Sequence, residues 1–262
     1  MNWPSDIRPA LIRRSAARAA IPRMRRALAS PGGFALATAV YIVAALLVDR
    51  GSDAAGEATV GAVTWCALLF ACRGLDPLDR ARVAALVLVA TVGEILGSQV
   101  FQWYTYRRHD LPAFVPPGHG LVYLAGLRLS RSPFVHRHAR SVTRGALAIG
   151  GAWAVVGVTV LARDDVAGAL CMTLLAVLLL RSRVPTLYAC MFLCVALLEL
   201  LGTAIGTWRW AEVGPNLALP AGNPPSGIAA GYCLFDALAL RLGPRLLVLW
   251  RALPGRLAPE PG

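Results

Sequence analysis

The stretch Val83-Ala-Ala-Leu-Val-Leu-Val-Ala-Thr-Val-Gly-Glu94-Ile-Leu-Gly97-Ser-Gln-Val-Phe-Gln-Trp103 decides how this chain is read. It is an apolar run of the length that crosses a bilayer as a helix, roughly 17–25 residues. It nevertheless carries a carboxyl in its second half. Glu94 lies eleven residues after Val83, about 16 Å along a helix that rises ~1.5 Å per residue and so just past the middle of the span. A charge at that depth costs roughly 2.5–3.5 kcal/mol on insertion scales, so it faces the interior of a bundle and marks a functional position.

The rest of the chain supports a membrane setting. Its 262 residues are 57% hydrophobic and 15% charged, with a mean hydropathy of +0.59. A soluble domain carries about 25% charged residues and needs less apolar material to fill a core. Disorder, a disulfide-stapled secreted module and an ordinary soluble enzyme are therefore excluded. Eight apolar spans can be drawn, at about 33–49, 58–72, 83–103, 117–134, 144–162, 165–180, 186–207 and 226–242. The fourth is the weakest, because its clearly apolar part ends at Leu129, and it is either a short crossing or a re-entrant segment. The expected fold is an all-α polytopic bundle of about eight transmembrane helices.

Charge orients it. The net charge is +12, and all 26 basic residues are arginine. Cytoplasmic loops of membrane proteins are enriched in such residues. With the N-terminus in the cytoplasm, 21 of the 26 arginines fall inside, and only Arg50, Arg107, Arg108, Arg163 and Arg209 fall outside. Both termini are thus expected in the cytoplasm and the chain in the cytoplasmic membrane. The positive charge then serves topology and contact with anionic lipid, and nucleic acid is not expected as a partner. Pro9–Ala29 is either an amphipathic surface helix or a basic tail. The six cysteines all fall within spans, so no disulfide framework follows, and no cluster has the composition of a metal site. No pattern calls for a cofactor.

The opening stretch has a counterpart. Glu94-Ile-Leu-Gly97-Ser-Gln-Val-Phe-Gln-Trp103 aligns with Glu199-Leu-Leu-Gly202-Thr-Ala-Ile-Gly-Thr-Trp208 at an offset of 105 residues, with four identities in ten. Pro116-Pro117 aligns with Pro224-Pro225 after a three-residue slip. The expected organisation is a basic segment (1–31), a four-helix repeat (32–134), a basic linker (135–143), a second four-helix repeat (144–242) and a tail (243–262). An even number of spans per unit makes the repeats parallel, related by an axis along the membrane normal.

The candidate catalytic groups are Glu94, Glu199 and His119, the last in Pro116-Pro117-Gly118-His119-Gly120 at the start of span 4. Gly97 and Gly202 lie one turn after each glutamate and leave room for a helix or a ligand to approach. Trp103, Tyr104, Tyr106, Trp208 and Trp210 form either an interfacial aromatic belt or a stacking surface for substrate. Asn223 or Ser226 caps the turn that opens span 8, with Asn223 also a candidate substrate-binding residue. Asp236 lies ten residues into that span, where it either pairs with Arg128 of span 4 or belongs to the site.

No nucleophile elbow, phosphate loop or metal signature is present. Buried acids among aromatic faces suit protonation of a double bond and stabilisation of the resulting cation. Proton-coupled transport or flipping of a lipid and a purely structural membrane subunit are the alternatives. The pattern Glu94-x-x-Gly97, Tyr104-x-Tyr106 and a proline-led helix resembles the multi-pass membrane carotenoid hydratases over about thirty residues of each repeat. The family's longer glycine-rich stretch is absent, and the second copy has Trp208-x-Trp210. The resemblance implies acid-catalysed addition of water to a carotenoid end, with Glu94 as the acid. The expected partners are membrane lipids and an apolar or amphipathic small molecule.

Overall fold

The computed structural model describes residues 30–216 and 218–252. The segment Pro9–Ala29 and residues 253–262 lie outside them. The described chain is helical apart from one small two-stranded sheet: α1 (Pro31–Arg50), α2 (Ala54–Cys72), α3 (Pro77–Glu94), β1 (Tyr104–Tyr106), α4 (Val115–Ser130), α5 (Pro133–Arg137), α6 (Ala139–Thr159), α7 (Val166–Arg181), α8 (Pro185–Ile205), β2 (Trp208–Trp210) and α9 (Ala229–Ala252). Helix starts follow local chemistry. Ser30, Asp53, Asp76, Ser132 and Asp165 each accept a bond from a backbone N–H in the first turn, satisfying donors that have no partner inside the helix.

Among the described residues, five helices are long and apolar enough to cross a membrane: α1, α2, α3 with its extension to Val100, α6 and α8. Leu36, Val40, Leu69, Phe70, Val92, Val155 and Leu197 stand exposed on them. A continuous apolar exterior of this kind needs lipid rather than water around it. Each of the eight expected spans falls on a helix, but α7 has only 16 residues and α9 carries Pro244 inside it. The region drawn as a linker at 135–143 is helical, and the tail drawn from 243 begins inside α9, which continues to Ala252.

Helix α4 explains the weakest span. Twelve of its 16 residues are buried, and it packs against α1, α2, α3 and α8. Its environment is protein, so its sequence need not meet the hydropathy that lipid demands. Helix α9 packs chiefly on α3, with further contacts to α7 and α8.

The all-α fold expected from the sequence is supported, and within it two short strands pair with each other. Strands β1 and β2 pair antiparallel in the register Tyr104↔Trp210, Thr105↔Arg209, Tyr106↔Trp208. Alternation along a strand turns successive side chains to opposite faces. All four aromatic rings are therefore buried, while Thr105 and Arg209 face outward. Asp49 and Glu57 receive Arg107 and Arg108 at 3.5 and 3.4 Å, and Arg163 donates to the carbonyls of Trp210 and Ala211. Three of the five arginines placed outside by topology thus fasten the paired strands to neighbouring segments.

Helix α3 does not end at Glu94. It widens into a π-helical turn over Ile95–Val100, closed by Phe101 N–H to Leu96 O at 2.7 Å and followed by Trp103 N–H to Gly97 O at 2.9 Å. Such a turn accommodates one more residue than an α-turn, and it often lies at functional sites. The consequence is visible in the spacing. The two glutamates are 105 residues apart, whereas Tyr104 and Trp208, the first residues of the two strands, are 104 apart.

Candidate functional site: two glutamates in one cavity

Glu94 and Glu199 are both buried, at 4% and 2% exposure, and both line a single cavity of about 360 Å³. The walls are mainly apolar and come from α1, α2, the α3 extension, the two paired strands, α4, α8 and α9. Each carboxyl has three polar partners. The Glu94 Oε2 atom accepts from the Tyr104 and Tyr106 hydroxyls, each at 2.6 Å, and its Oε1 lies 2.8 Å from His119 Nε2. Glu199 Oε2 accepts from Trp208 Nε1 at 2.9 Å and Trp210 Nε1 at 3.1 Å. Its Oε1 accepts from the Tyr232 hydroxyl at 2.8 Å. Burying an ionisable group is tolerated when its hydrogen-bonding positions are filled in this way.

The aromatic residues are thus neither an interfacial belt nor primarily a stacking surface. Tyr104, Tyr106, Trp208 and Trp210 turn inward and donate to the acids. Burial first, and the nearby Glu94 second, hold the Tyr104 and Tyr106 hydroxyls well above the ordinary phenol range, so both remain donors. Trp103, aligned in the sequence with Trp208, plays a different part. It stacks on Phe101 at 4.9 Å, lines the cavity, and its Nε1 finds no hydrogen-bond partner among the described residues. The extra residue in the π-helical turn advances Tyr104, not Trp103, into the position that Trp208 occupies on the other side.

Gly97 and Gly202 serve the same arrangement. A Cβ on Gly97 would meet the Tyr104 ring, 2.8 Å from Cε1, and one on Gly202 would fall on the Trp208 ring. The small residue makes room for the chain's own aromatic donor, where the sequence suggested a helix or a ligand.

The third donors depart from the matched Pro-Pro spacing. Two residues beyond Pro117 stands His119, but two beyond Pro225 stands Gly227, whose missing side chain lets the backbone of α7 come close. The prolines lie inside the first turn of α4, whereas α9 starts four residues after Pro225. Counted from the helix starts, His119 is the fifth residue of α4 and Tyr232 the fourth residue of α9. Both first turns therefore aim a polar group at the cavity. The two rings stack on each other at 5.1 Å and 26°, bringing the two glutamate shells together.

Asn223 does not cap α9. Its Oδ1 accepts the Trp210 N–H at 2.9 Å and fixes the strand that carries both indoles. The loop behind it is organised by Asp165, which accepts from Gly168 N, Gly222 N and Ser226 N at 3.1, 2.7 and 2.7 Å. Neither Asp165 nor Tyr232 is among the residues that the sequence singles out as candidates. The only legible trace of Asp165 was its helix-cap position before the apolar run of α7.

Asp236 lies apart from the cavity. It is buried at 1% exposure, and neither of its oxygens has a hydrogen-bond partner among the described residues. No ion pair with Arg128 forms; the Arg128 guanidinium lies 3.9 Å from the Phe34 ring centroid. Equal spacing from the two Pro-Pro pairs did not give equal depth, because α4 and α9 start at different points relative to those prolines. Among the described residues, no group of three or more His, Cys, Asp or Glu could hold a metal ion. Comparison of the chain with known protein families, with characterised proteins and with solved structures gives no match.

Proposed function

We propose that the chain is a multi-pass protein of the cytoplasmic membrane in which the glutamate cavity performs acid–base chemistry on a membrane-dissolved isoprenoid, polyene or other lipid. In this reading eight helices cross, arranged as two parallel four-helix repeats with both ends in the cytoplasm. The arginine distribution supports that orientation. The observation that carries the functional reading is the meeting of two buried carboxyls in one largely apolar cavity. An apolar wall selects a substrate of the same character, and a small number of polar groups fix it for reaction.

Addition of water to a trisubstituted double bond fits this chemistry. One carboxyl supplies a proton to the alkene carbon, the adjacent carbon becomes a tertiary cation, and the second carboxyl takes the proton that water releases as its oxygen bonds to that carbon. Aromatic faces of the two paired strands stabilise the cation. The resemblance to the carotenoid hydratases supports a polyene end as the substrate. Transport has less support, because neither Arg128 nor Asp236, the ionisable pair of the inner halves, lines the cavity.

The test is mass spectrometry of lipids that co-purify with the chain, followed by turnover of the identified molecule in liposomes. A bound polyene or isoprenoid that gains one water in the presence of the wild-type chain, and not of Glu94→Gln, supports the reading. Full turnover by a Glu94→Gln, Glu199→Gln double variant overturns it.

A further inference from the structure

The two shells use the same number of donors but differ in what those donors can do with a proton. An indole N–H donates and never accepts, and a phenol hydroxyl can do either. An imidazole binds and releases a proton near neutrality. Glu199 Oε2 faces two indoles, so that oxygen has no room for a proton of its own. A proton on its Oε1 would require the Tyr232 hydroxyl to stop donating there, and Tyr232 has no other hydrogen-bond partner among the described residues. On the other side, Glu94 Oε2 is occupied by two phenols and its Oε1 faces His119 Nε2. No arginine lines the cavity, so His119 is the only lining group able to offset two carboxylates by taking a proton.

We infer that the transferable proton of the cavity is shared between Glu94 Oε1 and His119 Nε2, and that the two indoles keep Glu199 as the ionised partner. The pair is then neutral as a whole, and the cavity holds one negative charge instead of two. The assignment deepens the acid–base reading and rests on it for its catalytic consequence. The proton leaves the Glu94–His119 pair as the π electrons of the double bond form the new C–H bond. The Glu199 carboxylate faces the tertiary cation that results. Water forms the C–O bond, and its proton passes to Glu199 Oε1. Transfer of that proton back to the pair through water restores the starting state, for a net addition of one water per double bond. Trp208 and Trp210 are positioning residues in this scheme, and Tyr232 reports the charge of Glu199.

The experiment needs no substrate. Infrared difference spectra of the detergent-purified full chain in H2O and D2O report protonated carboxyls, and spectra of ¹⁵N-histidine-labelled chain report an imidazolium. The expected result is a proton signal in one of these two channels that is lost in Glu94→Gln and kept in Glu199→Gln. Asp236 contributes equally to every sample and cancels. A carboxyl band lost in Glu199→Gln and kept in Glu94→Gln overturns the assignment, as does a wild-type chain in which Glu94→Gln removes neither signal. If Glu94→Gln does not fold, His119→Gln substitutes for it. The Glu94 carboxyl band must then be present and displaced from any wild-type position, and an unchanged spectrum in both channels refutes the pair. A chain that holds the proton on Glu94–His119 yet adds water to no polyene would overturn the functional reading and leave this assignment standing.

Discussion

Glu94 and Glu199 sit at corresponding places on α3 and α8, each followed one turn later by a glycine and then by an aromatic-x-aromatic strand. Each has three hydrogen-bond partners and both face the same cavity. The frames match, and the donors do not. Glu94 is held by two phenols and an imidazole, Glu199 by two indoles and a phenol. The first set can take up or release a proton while the second mostly fixes a charge. Two nearly equivalent frames can thus supply the complementary roles of acid and base without a change in backbone architecture. The same logic, in which environment pushes two carboxyls into different roles, runs through acid–base enzymes generally.

The comparison can be broken most directly at the acids. Glu94→Gln and Glu199→Gln should each lower turnover by at least ~10²-fold, the scale at which a general acid or base contributes. Both variants should still insert, since the amide oxygen can accept the bonds that Oε2 accepts now. Product formation set against protein yield in the membrane fraction checks this, and retained turnover in either variant removes that glutamate from the reaction.

The donor pairs come next. Replacing Trp208 and Trp210 by Phe removes two hydrogen bonds and leaves vacant volume beside a buried carboxylate. Tyr104→Phe with Tyr106→Phe removes two hydrogen bonds and almost no volume. At about 1.5–3 kcal/mol for each bond to a charged group, both doubles should melt earlier in detergent, and the tryptophan double earlier of the two. Identical melting curves would mean that the shells are energetically interchangeable.

The glycines test the frames themselves. Gly202→Ala places its methyl on the Trp208 ring, whereas Gly97→Ala meets the edge of Tyr104. Overpacking of this kind costs about 1–3 kcal/mol, with the larger loss expected at Gly202. The reverse order in thermal melts would contradict the tighter fit on that side.

The smallest effect should come from Asn223→Ala, which removes a single bond to the Trp210 N–H and costs about 1 kcal/mol. Faster hydrogen exchange at the Trp210 amide, with Tyr104 unaffected, would confine the change to the Glu199 side. Equal acceleration on both strands would show instead that the strand pair behaves as one unit.

Much of this was legible in the sequence. Hydropathy located a helix for each expected span, and the cost of charge in an apolar run singled out Glu94 and Glu199. His119 stood out beside its proline pair. The strand pairing was not legible, because two three-residue strands carry too little alternation to register against long helical signals. Its consequences were hidden too. The aromatic residues looked like an interfacial belt because Trp and Tyr near the end of a span usually are one. Tyr232 was overlooked because a tyrosine inside an apolar helix carries no signal of where its hydroxyl points.

The sequence by itself therefore determined a helical chain made for an apolar surrounding, with acids placed where charge is expensive. Periodicity and transfer energy are local properties and can be read along one strand of text. Only the tertiary structure decided which donor meets which oxygen. That depends on a one-residue π-helical expansion after Glu94, on where α4 and α9 begin relative to their prolines, and on a strand pairing between segments a hundred residues apart. A shift of one residue in any of these would exchange a ring at the carboxyl for one facing elsewhere. This is why Trp103 stands aside while Tyr104 holds Glu94.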